Sequence, residues 1–149
     1  MSPIATRRAS PDDAALLARL HAECFDDSWD ETAFDSFLRD PSTFALIAGE
    51  GDAFILVRVA ADESEILSLG TRPDVRRRGL ARVLVRAAAI EAHRRAAERM
   101  FLEVAADNEA ALTLYQFAGF RPVGHRPGYY ANADGAIVDA VILSAALPL

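Results

Sequence analysis

The spacing of apolar residues changes along the chain between the two-residue period of a strand and the three- to four-residue period of a helix. Short apolar runs between turn residues predict strands at about 3–9, 44–49, 53–60, 66–71, 100–105, 121–125 and 136–143. Apolar stripes predict helices that begin at Ser10, Ser28, Gly79 and Asn108. This order predicts an α/β (α+β) fold in a single domain, residues 1–149. Its mixed central sheet has about six to seven strands, flanked by about four helices.

Local signals define where the helices begin and end. Ser10 precedes Pro11 and two aspartates, which is the arrangement of an N-cap followed by proline in the first turn. Residues 28–31, Ser-Trp-Asp-Glu, form a capping-box pattern with Ser28 as the N-cap. Gly119 is predicted to close the last helix in a left-handed conformation. The third helix is predicted to bury a stripe that comprises Leu80, Val83, Leu84, Ala87 and Ile90.

The segment between the fourth strand and the third helix carries an anion-binding pattern. A turn at residues 72–74 leads into an arginine-rich loop, and the helix then begins at Gly79. The first N–H groups of a helix have no partner within the helix, and the helix dipole adds partial positive charge there. Gly79 has no side chain to obstruct a ligand, and the loop also contains Arg76, Arg77 and Arg78. The sequence therefore predicts a cradle for a phosphate or pyrophosphate group.

Two familiar phosphate-binding motifs do not describe this loop. The nucleoside-triphosphate P-loop requires a lysine, and the chain contains none. The dinucleotide fingerprint G-x-G-x-x-G is also missing from the sequence. The remaining alternative to a pyrophosphate site is a basic helix start on a solvated face.

Composition narrows the class of protein. A chain of 149 residues with 52% hydrophobic and 26% charged residues suits one globular domain. No apolar run is long enough to span a membrane, and the first residues lack the apolar core of a signal peptide. The single cysteine, Cys24, excludes an internal disulfide, and three scattered histidines show no metal-ligand spacing. We therefore expect a cytoplasmic protein without a metal cofactor.

Charge is distributed unevenly around the net value of −6. Residues 12–65 have a local net charge of −11, and residues 66–99 have one of +6. The acidic total argues against nonspecific nucleic-acid binding, which needs an extended basic surface. The asymmetry suggests a polyanionic ligand on the basic segment and a cationic partner on the acidic one, unless both are simply solvated surfaces.

Candidate catalytic groups lie in the fifth strand and the helix after it. Glu103 is the one carboxylate in an apolar strand, where it shares a face with Phe101 and Ala105. An acid in such surroundings is suited to act as a general base, although it could also reach water or pair with an arginine. Asn108 and Tyr115 lie two helical turns apart on one face, about 10 Å from each other. This pair could contact two parts of an elongated ligand, or serve only as an N-cap and a half-buried aromatic.

Two motifs together resemble those of the GCN5-related N-acetyltransferase family. R-R-R-G-L-A, residues 76–81, is similar to that family's Q/R-x-x-G-x-G/A loop. L-E-V-A-A-D-N-E-A-A-L-T-L-Y-Q-F-A-G-F, residues 102–120, resembles its closing E-V-x-x-x-N-x-x-A-x-x-L-Y-x-x-x-G-F pattern. Within the family, residues 29–34 and 128–140 look most like the bacterial ribosomal-protein alanine N-acetyltransferases. The narrower resemblance implies acetyl transfer from acetyl-CoA to the N-terminal α-amine of a ribosomal protein.

The resemblance also implies a role for individual residues. Glu103 would be the general base and Tyr115 the general acid toward the leaving thiolate. The strand at 69–71 would pair with the pantetheine arm, with the Leu69 N–H polarising the thioester carbonyl, and the cradle would hold the pyrophosphate. The implied contacts to acetyl-CoA are Leu69, Gly70, Thr71, Arg76, Arg77, Arg78, Gly79, Leu80, Ala81 and Asn108. Ala81 stands where many family members have glycine, which keeps the position small.

The acceptor side is less well defined by the sequence. Tyr129 and Tyr130 follow Pro127-Gly128, which predicts a loop. The resemblance favours a position at the border of the acceptor groove, although the two rings could instead cover a sheet edge. Trp29 is predicted to be a packing anchor at the start of the second helix, and lining of the acceptor pocket is its alternative role. Two alternatives to a protein N-terminus remain open. One is acetylation of a small amine, such as a polyamine or an aminoglycoside, and the other is a non-catalytic acyl-CoA-binding module.

Overall fold

A seven-stranded mixed sheet forms the centre of a computed structural model, which describes residues 4–131 and 134–149. The strands formed by these residues are β1 (Thr6–Arg8), β2 (Thr43–Ala48), β3 (Ala53–Ala60), β4 (Glu63–Thr71), β5 (Arg99–Ala105), β6 (Arg121–Ala131) and β7 (Ile137–Ala146). Their helices are α1 (Ala14–Cys24), α2 (Glu31–Arg39), α3 (Leu80–Arg94) and α4 (Glu109–Phe117), with short 3₁₀ turns at Pro11–Asp13 and Pro73–Val75. The predicted fold class and element order are confirmed.

The strands are arranged in the order β1-β2-β3-β4-β5-β7-β6. Neighbouring strands are antiparallel except β4 and β5, which run parallel. The parallel pair is short, because only residues 63–65 of β4 pair with residues 99–101 of β5. Within the described residues, the rest of β4 is hydrogen-bonded to β3 and has no strand partner on the side facing β5. The sheet is therefore split between β4 and β5 along their carboxyl-terminal halves.

Helices cover the two faces of the sheet and create two apolar clusters. On one face α3 and α4 pack against β2 to β5 and β7, where Leu84, Met100 and Leu143 are fully buried. On the other face α1 and α2 pack against β2 and β3, around Phe34 and Phe54. Burial of apolar side chains on both faces of the sheet is the main stabilising contribution to such a fold.

Three local predictions were wrong. The N-cap of α2 is Asp30, whose Oδ1 accepts a hydrogen bond from the Ala33 N–H at 2.8 Å, so Ser28 lies outside the helix. Ile90 is 62% exposed, because α3 turns the face containing Leu84, Val85 and Ala88 toward the sheet. The predicted loop at residues 127–130 belongs instead to β6, which contains a register shift between Arg126 and Tyr130.

The ends of the predicted elements otherwise agree with the structure to within a few residues. The first strand was predicted from residue 3, which lies outside the described residues. Gly119 has a left-handed φ of +104° after α4, as predicted. None of the helices in the described part of the chain is long and apolar enough to cross a membrane.

Candidate functional site

The split between β4 and β5 contains a cavity of about 280 Å³. It is lined by residues 66–69 of β4 and 102–105 of β5, by Asn108, Ala111 and Tyr115 on the α4 side, and by Phe25 and Tyr130. Sequence-predicted residues from three separate segments thus meet in one place. A larger hollow of about 410 Å³ between α3, α4 and the last two residues contains none of the predicted catalytic or acceptor-side groups.

Glu103 reaches the cavity from β5, and its side chain is 26% exposed. Of the two surroundings expected for Glu103, apolar neighbours or an arginine partner, the structure has the second. Its Oε1 lies 3.1 Å from a guanidinium nitrogen of Arg126, which belongs to β6. The Glu103 carboxylate thus lies at the cavity wall beside the Arg126 guanidinium. An amine in the cavity could approach this carboxylate.

Tyr115 and Asn108 line the same cavity from α4. Tyr115 is only 6% exposed, and its ring packs edge-on against Phe120 with 5.6 Å between centroids. Burial raises the pKa of Tyr115 far above that of an exposed phenol, so the hydroxyl keeps its proton at neutral pH. It can donate a hydrogen bond there but cannot act as a base. Asn108 caps α4, because its Oδ1 accepts from the Ala111 N–H at 3.2 Å.

The predicted anion cradle adopts an unusual backbone conformation. Arg77 and Gly79 both have positive φ angles, of +67° and +80°. Gly79 is the N-cap of α3. Because it has no side chain, no side-chain atom of this residue caps or covers the first N–H groups of the helix. A Cβ built on Gly79 would meet no atom within 4 Å, which means that the position faces open space. The loop can therefore bring main-chain N–H groups close to an anion.

The three arginines of the cradle are exposed around this opening. Arg76 is partly fixed, since its Nε donates to the Thr71 carbonyl at 3.1 Å at the end of β4. Leu80 is buried beneath the loop, while Ala81 in the first turn is half-buried. The cradle therefore begins where β4 ends, beyond the cavity. One elongated ligand could contact both the cavity and the cradle.

Gly70 has a packing role that the sequence analysis did not identify. A Cβ at this position would lie 2.9 Å from both the Cys24 Sγ and the Phe54 Cε1 atoms. The missing side chain lets α1 approach β4, and the Cys24 thiol then donates to the Thr71 carbonyl at 3.3 Å. Burial raises the pKa of the Cys24 thiol, which suits a packing role better than that of a nucleophile.

On the acceptor side the structure separates the three predicted contacts. Tyr130 lines the cavity, and burial, followed by the negative charge of Glu103, raises its pKa. Tyr129 is 50% exposed and stacks its ring edge-on against Tyr130. Trp29 does not line the cavity and packs against His21, with 4.7 Å between ring centroids. Phe25, at the end of α1, lines the cavity instead, and nothing in its local sequence distinguishes it from a core residue.

His21 anchors the junction between α1 and α2 beside this region. Its ring is 3% exposed and stacks on Trp29, and Nδ1 accepts a hydrogen bond from the Trp29 N–H at 3.1 Å. Burial lowers the pKa of His21, while nearby Asp27 acts in the opposite direction with a smaller effect. The hydrogen bond requires Nδ1 to be unprotonated, so the neutral imidazole is the form that fits the fold.

We expect the free energy of unfolding to decrease as the pH is lowered through this histidine's titration range. In the unfolded chain the imidazole takes up a proton near its ordinary pKa of 6.5, whereas the folded protein does so only at lower pH. Between these two values the unfolded state binds more protons, so acid favours it. Urea unfolding at about pH 7.5 and about pH 5 measures the effect. His21→Asn retains an acceptor near the Nδ1 position and should show a smaller decrease, and equal decreases in both proteins would contradict the assignment.

The split sheet, the cavity and the glycine-headed cradle can be compared with known proteins. Residues 14–120, well over half of the chain, match the acetyltransferase (GNAT) family. The chain belongs to this family. The resemblance inferred from the two sequence motifs is therefore confirmed.

Individual relatives agree with the family match. The [ribosomal protein bS18]-alanine N-acetyltransferase of Escherichia coli is 37% identical over 101 residues, which cover 68% of this chain and 66% of that protein. This chain thus spans just under two thirds of that relative's length. The N-alpha-acetyltransferase RimI of Mycobacterium tuberculosis is 35% identical over 127 residues, covering 79% of this chain and 78% of that protein.

A solved structure extends the comparison to nearly the whole chain. The crystal structure of the ribosomal-protein-S18-alanine N-acetyltransferase from Escherichia coli superposes with a TM-score of 0.89 at 25% identity. The superposition covers 99% of this chain and 96% of the other. The arrangement of strands and helices around the cavity is thus shared with that enzyme.

Proposed function

We propose that this protein transfers the acetyl group of acetyl-CoA to the N-terminal α-amine of a protein. The observation that carries the proposal is the split between β4 and β5. Its cavity combines a carboxylate and a buried phenol with a strand edge that has no strand partner among the described residues, and the loop after that strand is the anion cradle. An acyl thioester on a long, amide-containing arm that ends in a pyrophosphate suits each of these parts.

Acetyl-CoA would bind along β4, with its pyrophosphate at the cradle. Residues 77–81 would donate main-chain N–H groups to the pyrophosphate, and the open space above Gly79 fits this approach. The amide groups of the pantetheine arm would pair with the free edge at Leu69, Gly70 and Thr71, as an added strand does. Asn108 lies on the opposite wall of the same cavity, where it would contact the arm.

The reaction then requires a base, an oxyanion donor and a hydrogen-bond donor to sulfur. Glu103 would accept the proton of the attacking amine as the C–N bond forms, either directly or through one water molecule. The Leu69 N–H would stabilise the negative charge that develops on the carbonyl oxygen. Tyr115, whose hydroxyl stays protonated, would donate to the thiolate as the C–S bond breaks. The products are the acetylated amine and free CoA.

We further propose that the acceptor is a ribosomal protein, with alanine at its N-terminus, which would place the reaction in the cytoplasm. The names of the curated relatives support this acceptor. The charge of the α1–α2 junction supports it independently, because Asp26, Asp27, Asp30 and Glu31 are all exposed there. An acidic surface of this kind attracts basic peptides. Mass spectrometry of ribosomal proteins from cells with and without the gene tests the proposal, since one N-terminus should lose its acetyl group in the mutant.

Charge attraction at this junction should be visible in the kinetics. We expect Asp26→Asn combined with Asp27→Asn to raise KM for a basic peptide several-fold and to leave kcat nearly unchanged. Asp30 is kept because it caps α2. Added salt should have the same effect on the wild type, since the screening length is about 8 Å at physiological ionic strength. A neutral peptide of equal length is the control, and an equal change in its KM would show that these acids do not select for charge.

A further inference from the structure

The ion pair between Glu103 and Arg126 joins two strands that are not neighbours. β7 lies between them, and the register aligns Glu103, Ile142 and Gly124 in one row across the three strands. Ala105, Ala140 and Arg126 form another row on the same face. The Arg126 side chain therefore extends diagonally to reach Glu103. The main contacts of α1 and α2 with the sheet are on β2 to β4.

The guanidinium group of Arg126 also contacts an aromatic ring. Its central carbon lies 5.2 Å from the centroid of the Tyr129 ring, in the geometry of a cation–π contact. Tyr129 in turn contacts Tyr130, which lines the cavity together with Glu103. Arg126 therefore links the cavity carboxylate to the aromatic pair on β6.

The segment that presents these aromatic residues is fixed to β7 by strand pairing and by the carboxylate of Asp139. Asp139 accepts a hydrogen bond from the Gly128 N–H at 2.7 Å, and its other oxygen lies 2.8 Å from the His125 Nε2. His125 precedes the register shift in β6, and Gly128 lies within it. Arg126 thus extends from an anchored part of the strand, so its position relative to Glu103 is defined by the fold.

We propose that Arg126 is a positioning residue of the acceptor site, which orients the Glu103 carboxylate for proton transfer from the acceptor amine. The proposal rests on the proposed function of Glu103 as the general base. A glutamate side chain at an open cavity wall has several rotamers, and an ion pair with an anchored partner selects one of them. The ion pair is made to Oε1, which leaves Oε2 as the oxygen that would accept the proton from the amine. Arg126 itself touches no reacting atom in this account.

Removal of the guanidinium should therefore affect turnover more than binding or folding. We expect Arg126→Ala to lower kcat about tenfold, because a misoriented catalytic group loses effective concentration at the reacting atoms. The dissociation constant for acetyl-CoA and the melting temperature should stay close to those of the wild type, since half-exposed ion pairs contribute little to stability. Arg126→Lys should restore part of the rate. Arg121→Ala, on the exposed first position of the same strand, is the matched control and should leave kcat unchanged.

A double-mutant cycle with Glu103→Gln separates this role from direct contact with the acceptor. If Arg126 acts through Glu103, then Arg126→Ala should have little further effect once the carboxylate is gone. An equal loss of kcat in both backgrounds, or a change confined to the acceptor KM, would overturn the proposal while leaving acetyl transfer intact. A wild-type protein that transfers no acetyl group to any amine would instead overturn the proposed function, and with it this role of Arg126.

Discussion

We expect Gly79→Val to abolish the rise in melting temperature that CoA should give to the wild-type protein. A ligand that binds only the folded state stabilises it by mass action, and saturating CoA should raise the melting temperature by about 5–10 °C in a domain of this size. The valine side chain would project into the open space where the structure leaves room for a pyrophosphate. It would also oppose the φ of +80° that the main chain adopts at this position. Differential scanning fluorimetry with and without CoA measures the shift.

A second glycine provides a matched control for this experiment. Gly119 has a φ of +104°, and a Cβ there would also meet no atom within 4 Å. Gly119→Val thus introduces a comparable backbone strain, of about 1–2 kcal/mol, at the far end of α4. Both variants should melt below the wild type without ligand, and only Gly119→Val should keep the CoA shift. A full CoA shift in folded Gly79→Val would show that the cradle does not bind the pyrophosphate.

Glu103→Gln and Tyr115→Phe should each lower kcat about 100-fold or more, with little change in acetyl-CoA affinity. In the proposed mechanism both groups would interact with charge that develops only in the transition state, so their removal should not weaken the ground-state complex. High pH should partly rescue Glu103→Gln, because it supplies the amine already deprotonated. It should not rescue Tyr115→Phe, which lacks the donor to the leaving sulfur.

Steady-state kinetics with the same acceptor peptide for every variant distinguishes a loss of catalysis from a general loss of structure. Glu65→Gln, an exposed carboxylate on the neighbouring strand β4, is the control and should behave as the wild type. Wild-type turnover by Glu103→Gln at neutral pH would remove this residue from the mechanism. Wild-type turnover by Tyr115→Phe would assign the leaving thiolate to solvent or to another donor.

The parts of the site that could be predicted from the sequence are those determined by neighbouring residues. The cradle depends on one short loop and the helix that follows it, so the arginines and Gly79 were sufficient to identify it. Asn108 and Tyr115 belong to one helix, where a seven-residue spacing places both side chains on the same face. Glu103 was noticeable because it interrupts an apolar strand.

Features that depend on contacts between distant segments were missed. Arg126 reaches Glu103 across an intervening strand, and this register could not be known before the sheet was assembled. The steric reason for Gly70 is the approach of α1, and Phe25 lines the cavity only because that helix ends beside β4. The predicted loop at residues 127–130 was wrong for a related reason, since Asp139 holds this Pro-Gly segment against β7.

The central claim, acetyl transfer to a protein N-terminus, is tested most directly by a single assay of the purified protein. A synthetic peptide that begins with alanine and continues with basic residues is incubated with acetyl-CoA, alongside the same peptide with a blocked N-terminus and alongside spermidine. CoA release is followed over time, and tandem mass spectrometry locates the acetyl group. We predict rapid release of CoA with the free peptide only and one acetyl group on its α-amine. Acetylation of spermidine at an equal or higher rate, or no release of CoA with any of the three amines, would contradict the account.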